Sequence, residues 1–183
     1  MSLTPNEAAD ALRDIEQTGR RSSTAYGYQM AAPHFILWGV IWVVGYGVSA
    51  IKMEWSIVWP ALSLLGTIGS FWLGWRSKPA GQKFDGRYLA TFVAVFAFIA
   101  CLFAVMPPRK PEQIGAFFPI LVALYYSLIG IWTRGVRILA LGIAVAVLTI
   151  GGYFFLPAHF LLLMAGVGGG GLILGGFWLR SDV

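Results

Sequence analysis

Two histidines are the side chains in this chain best suited to holding a metal or a haem. His34 and His159 each begin an apolar segment, in the similar strings HFIL and HFLL. If the apolar segments cross a membrane in alternating directions, these two positions lie at opposite surfaces, about 30 Å apart. They then cannot share a ligand, so we interpret both as interfacial side chains. A pH-sensing role for either histidine stays open.

Motifs for nucleophilic, metal or phosphate chemistry do not occur in the sequence. There is no Ser–His–Asp set, no HExxH and no CxxC, and the lone Cys101 cannot form an internal disulfide. The glycine-rich string AGVGGGGLILGG, residues 165–176, continues from Gly171 into Leu172 and lacks the Lys-Ser/Thr of a phosphate loop. We therefore predict no catalytic residue, no metal and no cofactor.

Hydroxyl side chains in the middle of apolar segments are the remaining candidate site. A tyrosine at mid-membrane depth needs a hydrogen-bond partner, a pocket or a water path, because its hydroxyl prefers the headgroup level. Pro119 lies upstream and frees the carbonyl of Gly115 from helical bonding. The candidate residues for lining a pocket or path are Tyr125, Tyr126, Ser127, Thr67 and Ser70.

Composition places these residues in a membrane protein. Of the 183 residues 58% are hydrophobic and only 11% are charged, with a mean hydropathy of +0.74, which leaves too little polar surface for a soluble domain. Six apolar segments have the length needed to cross about 30 Å of hydrocarbon as helices. The predicted fold is an all-α, polytopic bundle of six transmembrane helices within residues 34–180, with spans at 34–51, 56–75, 88–106, 113–133, 136–156 and 158–179.

Lysine and arginine are distributed unevenly between the two sides of this arrangement. With six spans, ten of the thirteen fall on the side of the termini and the second and fourth connections, which predicts cytoplasmic N and C termini in a bacterial-type inner (plasma) membrane. A partner such as nucleic acid is not indicated, because these cations lie between apolar segments rather than on one soluble module.

The segment 1–33 is predicted to be a cytoplasmic amphipathic helix with its juxtamembrane connection. Thr4 and Glu7 have the spacing of a capping box, and Gly19 is placed to end a helix over 5–17. Residues 4–21 and the loop 76–87 are the predicted surfaces for a membrane or cytoplasmic protein partner.

Glycines spaced for close helix packing occur in the second and sixth spans. In lipid, small residues let helix backbones approach, so these positions predict contact with another helix or with a neighbouring subunit. The similar ends FWLGWRS, GIWTRG and GFWLRS also raise the interpretation that three hairpins repeat. The predicted packing glycines are Gly166, Gly170, Gly171 and Gly175 in the sixth span and Gly66 and Gly74 in the second.

Two functions follow as hypotheses. The first is a non-catalytic membrane protein that acts through helix packing and partners, as a scaffold, sensor or accessory subunit, with homo-oligomerisation expected. The alternative is a channel, transporter or binding subunit for a small neutral or apolar solute, with the mid-membrane hydroxyls lining its path. A redox or lipid-modifying enzyme is a third and weaker hypothesis, since no Asp, Glu, Lys or Arg lies in the middle of a span.

Overall fold

The computed structural model describes residues 5–77 and 86–181, with their side chains except at 5–12, 16–17, 20–21, 23–24, 87–89 and 92. The fold is all-α, as predicted. Two 3₁₀ turns, Met53–Ile57 and Pro157–His159, join helices, and a π-helical segment, Met164–Gly169, separates the last two. The helices are α1 (Pro5–Ile51), α2 (Val58–Arg76), α3 (Gly86–Val105), α4 (Pro111–Trp132), α5 (Val136–Phe155), α6 (Phe160–Leu163) and α7 (Gly170–Arg180).

Five segments are long and apolar enough to cross a membrane: Ala25–Ile51, Met53–Arg76, Pro111–Trp132, Val136–Phe155 and Pro157–Arg180. The predicted third span corresponds to α3, a helix of 20 residues. Within the described residues its apolar part, Val93–Val105, is shorter than a span. Multiple membrane-crossing helices are thus supported by length and composition, while the sixth span stays a prediction.

The N-terminal region is not a separate helix. The prediction that Gly19 ends a helix is wrong, because α1 runs unbroken for 47 residues. A glycine lowers helix stability by about 1 kcal/mol relative to alanine, and a helix held by packing elsewhere along its length tolerates that. His34 therefore lies inside α1, nine residues after the start of its apolar part, instead of opening the span. The capping box with Thr4 lies outside the described residues.

The closest helix pairs are α4 with α5, and α1 with the π segment and α7. A Schellman motif ends α4: the Gly135 N–H donates to the Gly130 carbonyl at 2.8 Å, and Arg134 takes a left-handed φ of 53°. The backbones of α4 and α5 then approach so closely that a Cβ on Gly130 would lie 2.7 Å from the Leu139 Cα. Three equivalent hairpins would each pair one span with the next in the same way. The structure instead pairs α4 with α5, and α1 with the last span.

The glycine-rich string is helical and buries one face against α1. A Cβ at Gly169 would lie 2.7 Å from the Val43 nitrogen, and one at Gly39 would lie 2.8 Å from the Gly169 carbonyl oxygen. Gly176 has the same relation to α1, with 2.9 Å from its Cβ position to the Ala32 carbonyl oxygen. Backbone therefore meets backbone along this seam, as small residues permit in a membrane.

The six predicted packing glycines divide into two groups. Gly66 and Gly175 lie at close approaches, because a Cβ on them would come within 2.7 Å of a side chain of α1 or α5. At the other four, an added Cβ would meet nothing within 4 Å in the part of the chain that is described. These four glycines therefore do not pack closely against a described helix of the same chain. Contact with a neighbouring subunit stays a prediction at these positions, which are Gly74, Gly166, Gly170 and Gly171.

Candidate binding cleft

A large cleft runs along one side of α1, between α2 and α4. Its volume is about 1920 Å³, larger than the range of about 300–1,000 Å³ that is usual for small-molecule pockets. Along α4 the lining extends from Pro111 to Thr133, which corresponds to about 33 Å at 1.5 Å per residue. The cleft thus extends over about the thickness of a bilayer's hydrocarbon core.

The lining of the cleft is mostly apolar and aromatic. Trp38, Trp42 and Tyr46 contribute from α1, Trp59 from α2 and Phe118 from α4. Among the described residues that line the cleft, Arg134 is the only one with a full charge, and it follows the end of α4. The long middle of the cleft therefore offers aromatic surface and hydroxyl groups to a ligand, without charge.

Four of the five predicted lining residues meet in this cleft. Thr67 and Ser70 contribute from α2, and Tyr125 and Tyr126 from α4. Ser127 does not, since it faces α5, where a Cβ on Gly142 would lie 2.6 Å from its Oγ. Successive residues of a helix point about 100° apart. The string Tyr125-Tyr126-Ser127 therefore cannot present all three side chains to one site.

Tyr126 is a buried polar side chain of the cleft wall. It is 8% exposed, and its ring stacks on Phe35 of α1 with 4.2 Å between centroids and 22° between planes. The Tyr126 hydroxyl has no hydrogen-bond partner among the described residues. Tyr125, which also lines the cleft, is by contrast 60% exposed.

On the α2 wall, across the cleft from Tyr126, Ser70 forms a hydrogen bond with α1. Its Oγ accepts a hydrogen bond from Trp38 Nε1 at 3.1 Å. The two ring nitrogens of His34 lie 3.0 Å from the Met30 carbonyl oxygen and 3.3 Å from the Ser70 carbonyl oxygen. A neutral imidazole carries one N–H, so it donates to one of these carbonyls at a time. The result is a polar junction between α1 and α2, half-buried at the cleft.

A second such junction lies further along α1. Trp59 Nε1 donates to Ser49 Oγ at 3.2 Å, and Ser49 Oγ donates in turn to the Gly45 carbonyl at 2.7 Å. Sequence reasoning missed this group, although a signal was present. Phe35, Trp38, Trp42, Tyr46 and Ser49 recur at the three- and four-residue spacing of one helix face.

The carbonyl of Gly115 is satisfied from another helix. Pro119 lies inside α4 and cannot donate to this carbonyl, as predicted from the sequence. The Tyr46 hydroxyl donates to it at 2.5 Å from α1. This bond and the stack of Phe35 on Tyr126 connect α1 to α4, whose backbones are otherwise held apart by aromatic side chains.

The cleft is arranged for binding. Its polar atoms are hydroxyls, indole N–H groups and backbone carbonyls, which orient a ligand through hydrogen bonds. Within the described residues no three His, Cys, Asp or Glu side chains come together as a metal site would require.

Comparisons with protein families, curated proteins and solved structures gave no match for this chain. The class of protein therefore rests on its own helices. By their length and composition they define an integral, multi-pass helical membrane protein in contact with the lipid bilayer.

Proposed function

We propose that this protein binds a small, uncharged, largely apolar molecule that it takes from the bilayer, as a binding subunit or transporter component. The observation that carries the proposal is the cleft of about 1920 Å³ along α1, with Thr67, Ser70 and Tyr126 in its lining. Ligand sites are usually concave, mostly apolar and provided with few polar groups, which matches this composition.

Filling the cleft tests this function. Val122 of α4 is half-buried in the lining, whereas Leu124, two residues further on, is exposed and does not contribute to it. Val122→Phe is expected to weaken ligand binding about tenfold, because the added ring occupies ligand space. Leu124→Phe is the matched control, with the same new side chain on the same helix, and is expected to bind as the wild type does.

Tryptophan fluorescence gives the measurement, since Trp38, Trp42 and Trp59 line the cleft. The protein is reconstituted in nanodiscs and titrated with ethyl 9,10-dibromostearate, whose bromine atoms quench indole emission. Quenching of lipid-facing indoles rises steadily with probe, whereas a cleft site adds a saturable component. Equal half-saturation in the two variants, or no saturable component in the wild type, would contradict the proposal.

The proposed arrangement in the membrane has six spans with both termini in the cytoplasm of a bacterial-type cell. Support comes from α3, which at 20 residues measures about 30 Å, and from the unequal distribution of Lys and Arg. In a Cys101→Ser background, a membrane-impermeant maleimide applied to whole cells is expected to label Arg109→Cys but not Ser77→Cys. Labelling of both, or the reverse pattern, would exclude this orientation.

A second candidate function is a scaffold or accessory subunit acting through protein partners. The observation in its favour is the face of the last span where a Cβ added at Gly166, Gly170 or Gly171 would meet nothing within 4 Å in the described chain. Such a face suits close approach by another subunit. Native mass spectrometry from mild detergent tests this function, and a monomer without any bound protein would count against it.

A further inference from the structure

We propose that the ligand of this cleft is an elongated amphiphile whose uncharged head carries a hydrogen-bond acceptor oxygen, held between the hydroxyls of Ser70 and Tyr126. The inference rests on the proposed binding function and specifies the chemical class of the ligand. It is carried by the depth of the two hydroxyls, their unused donors and the uncharged lining around them.

Ser70 and Tyr126 lie at corresponding levels of α2 and α4, the helices on either side of the cleft. Ser70 is six residues before the end of α2 at Arg76, and Tyr126 is six residues before the end of α4 at Trp132. Each therefore lies about 9 Å inside the end of its helix. Both also meet α1 at one level, since Ser70 contacts His34 and Tyr126 stacks on the adjacent Phe35.

Each of these hydroxyls has a donor to offer. Ser70 Oγ accepts from Trp38, and its own O–H has no acceptor among the described residues. Ser49 shows the contrast, because it accepts from Trp59 and also donates to the Gly45 carbonyl. The Tyr126 hydroxyl has neither kind of partner within the described chain, although the side chain is 8% exposed. An acceptor oxygen between the walls would bind both donors.

The head is uncharged because no described lining residue at this level carries a full charge, and the one titratable base there, His34, has its ring nitrogens against the Met30 and Ser70 carbonyl oxygens. Arg134 is the one charged lining residue that the structure describes, and it lies beyond the end of α4, about 12 Å along the helix from Tyr126. An unpaired ion buried at membrane depth is strongly disfavoured. An ester, ketone or ether oxygen makes the same hydrogen bonds without that cost.

The apolar part of the ligand extends away from Arg134, towards Pro111. From Tyr126 to Pro111 the α4 wall runs 15 residues, or about 22 Å. Trp42 and Tyr46 of α1, Trp59 of α2 and Phe118 of α4 line this part. The space is long and aromatic, so it suits an acyl or isoprenoid chain better than a compact molecule.

Three brominated probes separate the head from the chain. Ethyl 9,10-dibromostearate has an uncharged acceptor head, 9,10-dibromostearate has a charged head, and 9,10-dibromo-octadecane has none. In the wild-type protein the ester is expected to reach half-saturation of tryptophan quenching at the lowest mole fraction. Ser70→Ala and Tyr126→Phe are each expected to raise that mole fraction about three- to tenfold for the ester and to leave the headless probe unchanged.

Matched controls remove a hydroxyl elsewhere. Ser127 faces α5, and Tyr153 packs on Phe160, so neither side chain lines the cleft. Ser127→Ala and Tyr153→Phe are expected to bind the ester as the wild type does. Tyr126→Phe keeps the ring that stacks on Phe35, and the unchanged affinity for the headless probe confirms that the cleft in each variant is intact.

The outcomes separate this inference from the function on which it rests. Saturable quenching by all three probes with equal strength, unaffected by Ser70→Ala and Tyr126→Phe, would overturn the head site and leave the binding function standing. Preference for the charged probe would also overturn it. Absence of saturable quenching by every probe would remove the binding function itself.

Discussion

Replacing Gly169 by alanine is expected to lower the free energy of unfolding by about 1–3 kcal/mol, which is the usual cost of overpacking. The added Cβ would lie 2.7 Å from the Val43 nitrogen and 2.9 Å from the Gly39 carbonyl oxygen. Both are backbone atoms of α1, so no side chain can rotate away, and the π segment and α1 must separate. An SDS titration in mixed micelles, followed by circular dichroism, measures the change.

Gly170 is the matched control because it is the next residue and has nothing within 4 Å of its Cβ position in the described chain. Gly170→Ala is expected to leave stability unchanged or to raise it by up to about 1 kcal/mol, since alanine has the better helix propensity. Equal destabilisation by the two substitutions would show that the α1 seam does not distinguish these positions. Destabilisation by Gly170→Ala alone would indicate that its face is packed against a neighbouring subunit.

Removing the Tyr46 hydroxyl is the second change with a large expected effect. Tyr46→Phe is expected to cost about 1–3 kcal/mol of unfolding free energy, because it leaves the Gly115 carbonyl without a partner at membrane depth. The Tyr46 side chain is 2% exposed, so water does not readily replace the lost bond. The same SDS titration provides the value.

Pro119 supplies the test of this explanation. In a Pro119→Ala background α4 regains the backbone N–H that bonds to the Gly115 carbonyl, so Tyr46→Phe is then expected to cost less than half as much. The double-mutant cycle isolates this coupling from the other effects of each substitution. Tyr153→Phe is a control for the loss of a tyrosine hydroxyl. Equal costs of Tyr46→Phe in the two backgrounds would contradict the proposed role of the freed carbonyl.

Which residues pack against which helix was only partly predictable from the sequence. The small-residue spacing in the last span predicted close packing at Gly166 and Gly170, whereas the glycines in the α1 seam are Gly169 and Gly176. A π-helical segment lies within this span, and its wider turn changes which side each following residue faces. Glycine spacing alone does not reveal such a change of phase.

The candidate site was likewise only partly predictable from the sequence. Hydroxyls at mid-membrane depth identified Thr67, Ser70 and Tyr126, because a polar group in hydrocarbon needs a partner or a cavity. The direction of each side chain was not available from that argument, so Ser127 was included although it faces α5. His34 was placed at the start of a span because polarity marks where an apolar string begins, whereas the helix itself starts much earlier.

The sequence by itself determined that this chain is helical and apolar over several membrane-length segments, since composition and length decide what the bilayer accepts. It also determined that the Gly115 carbonyl would be free, because proline carries no N–H. Only the tertiary structure decided that Tyr46 satisfies this carbonyl and that α2 and α4 stand apart across α1 to form a cleft. Those features depend on contacts between residues distant in the chain. In a membrane both the lipid-facing and the buried sides of a helix are apolar, so hydrophobicity along the sequence does not distinguish the side that packs against other helices.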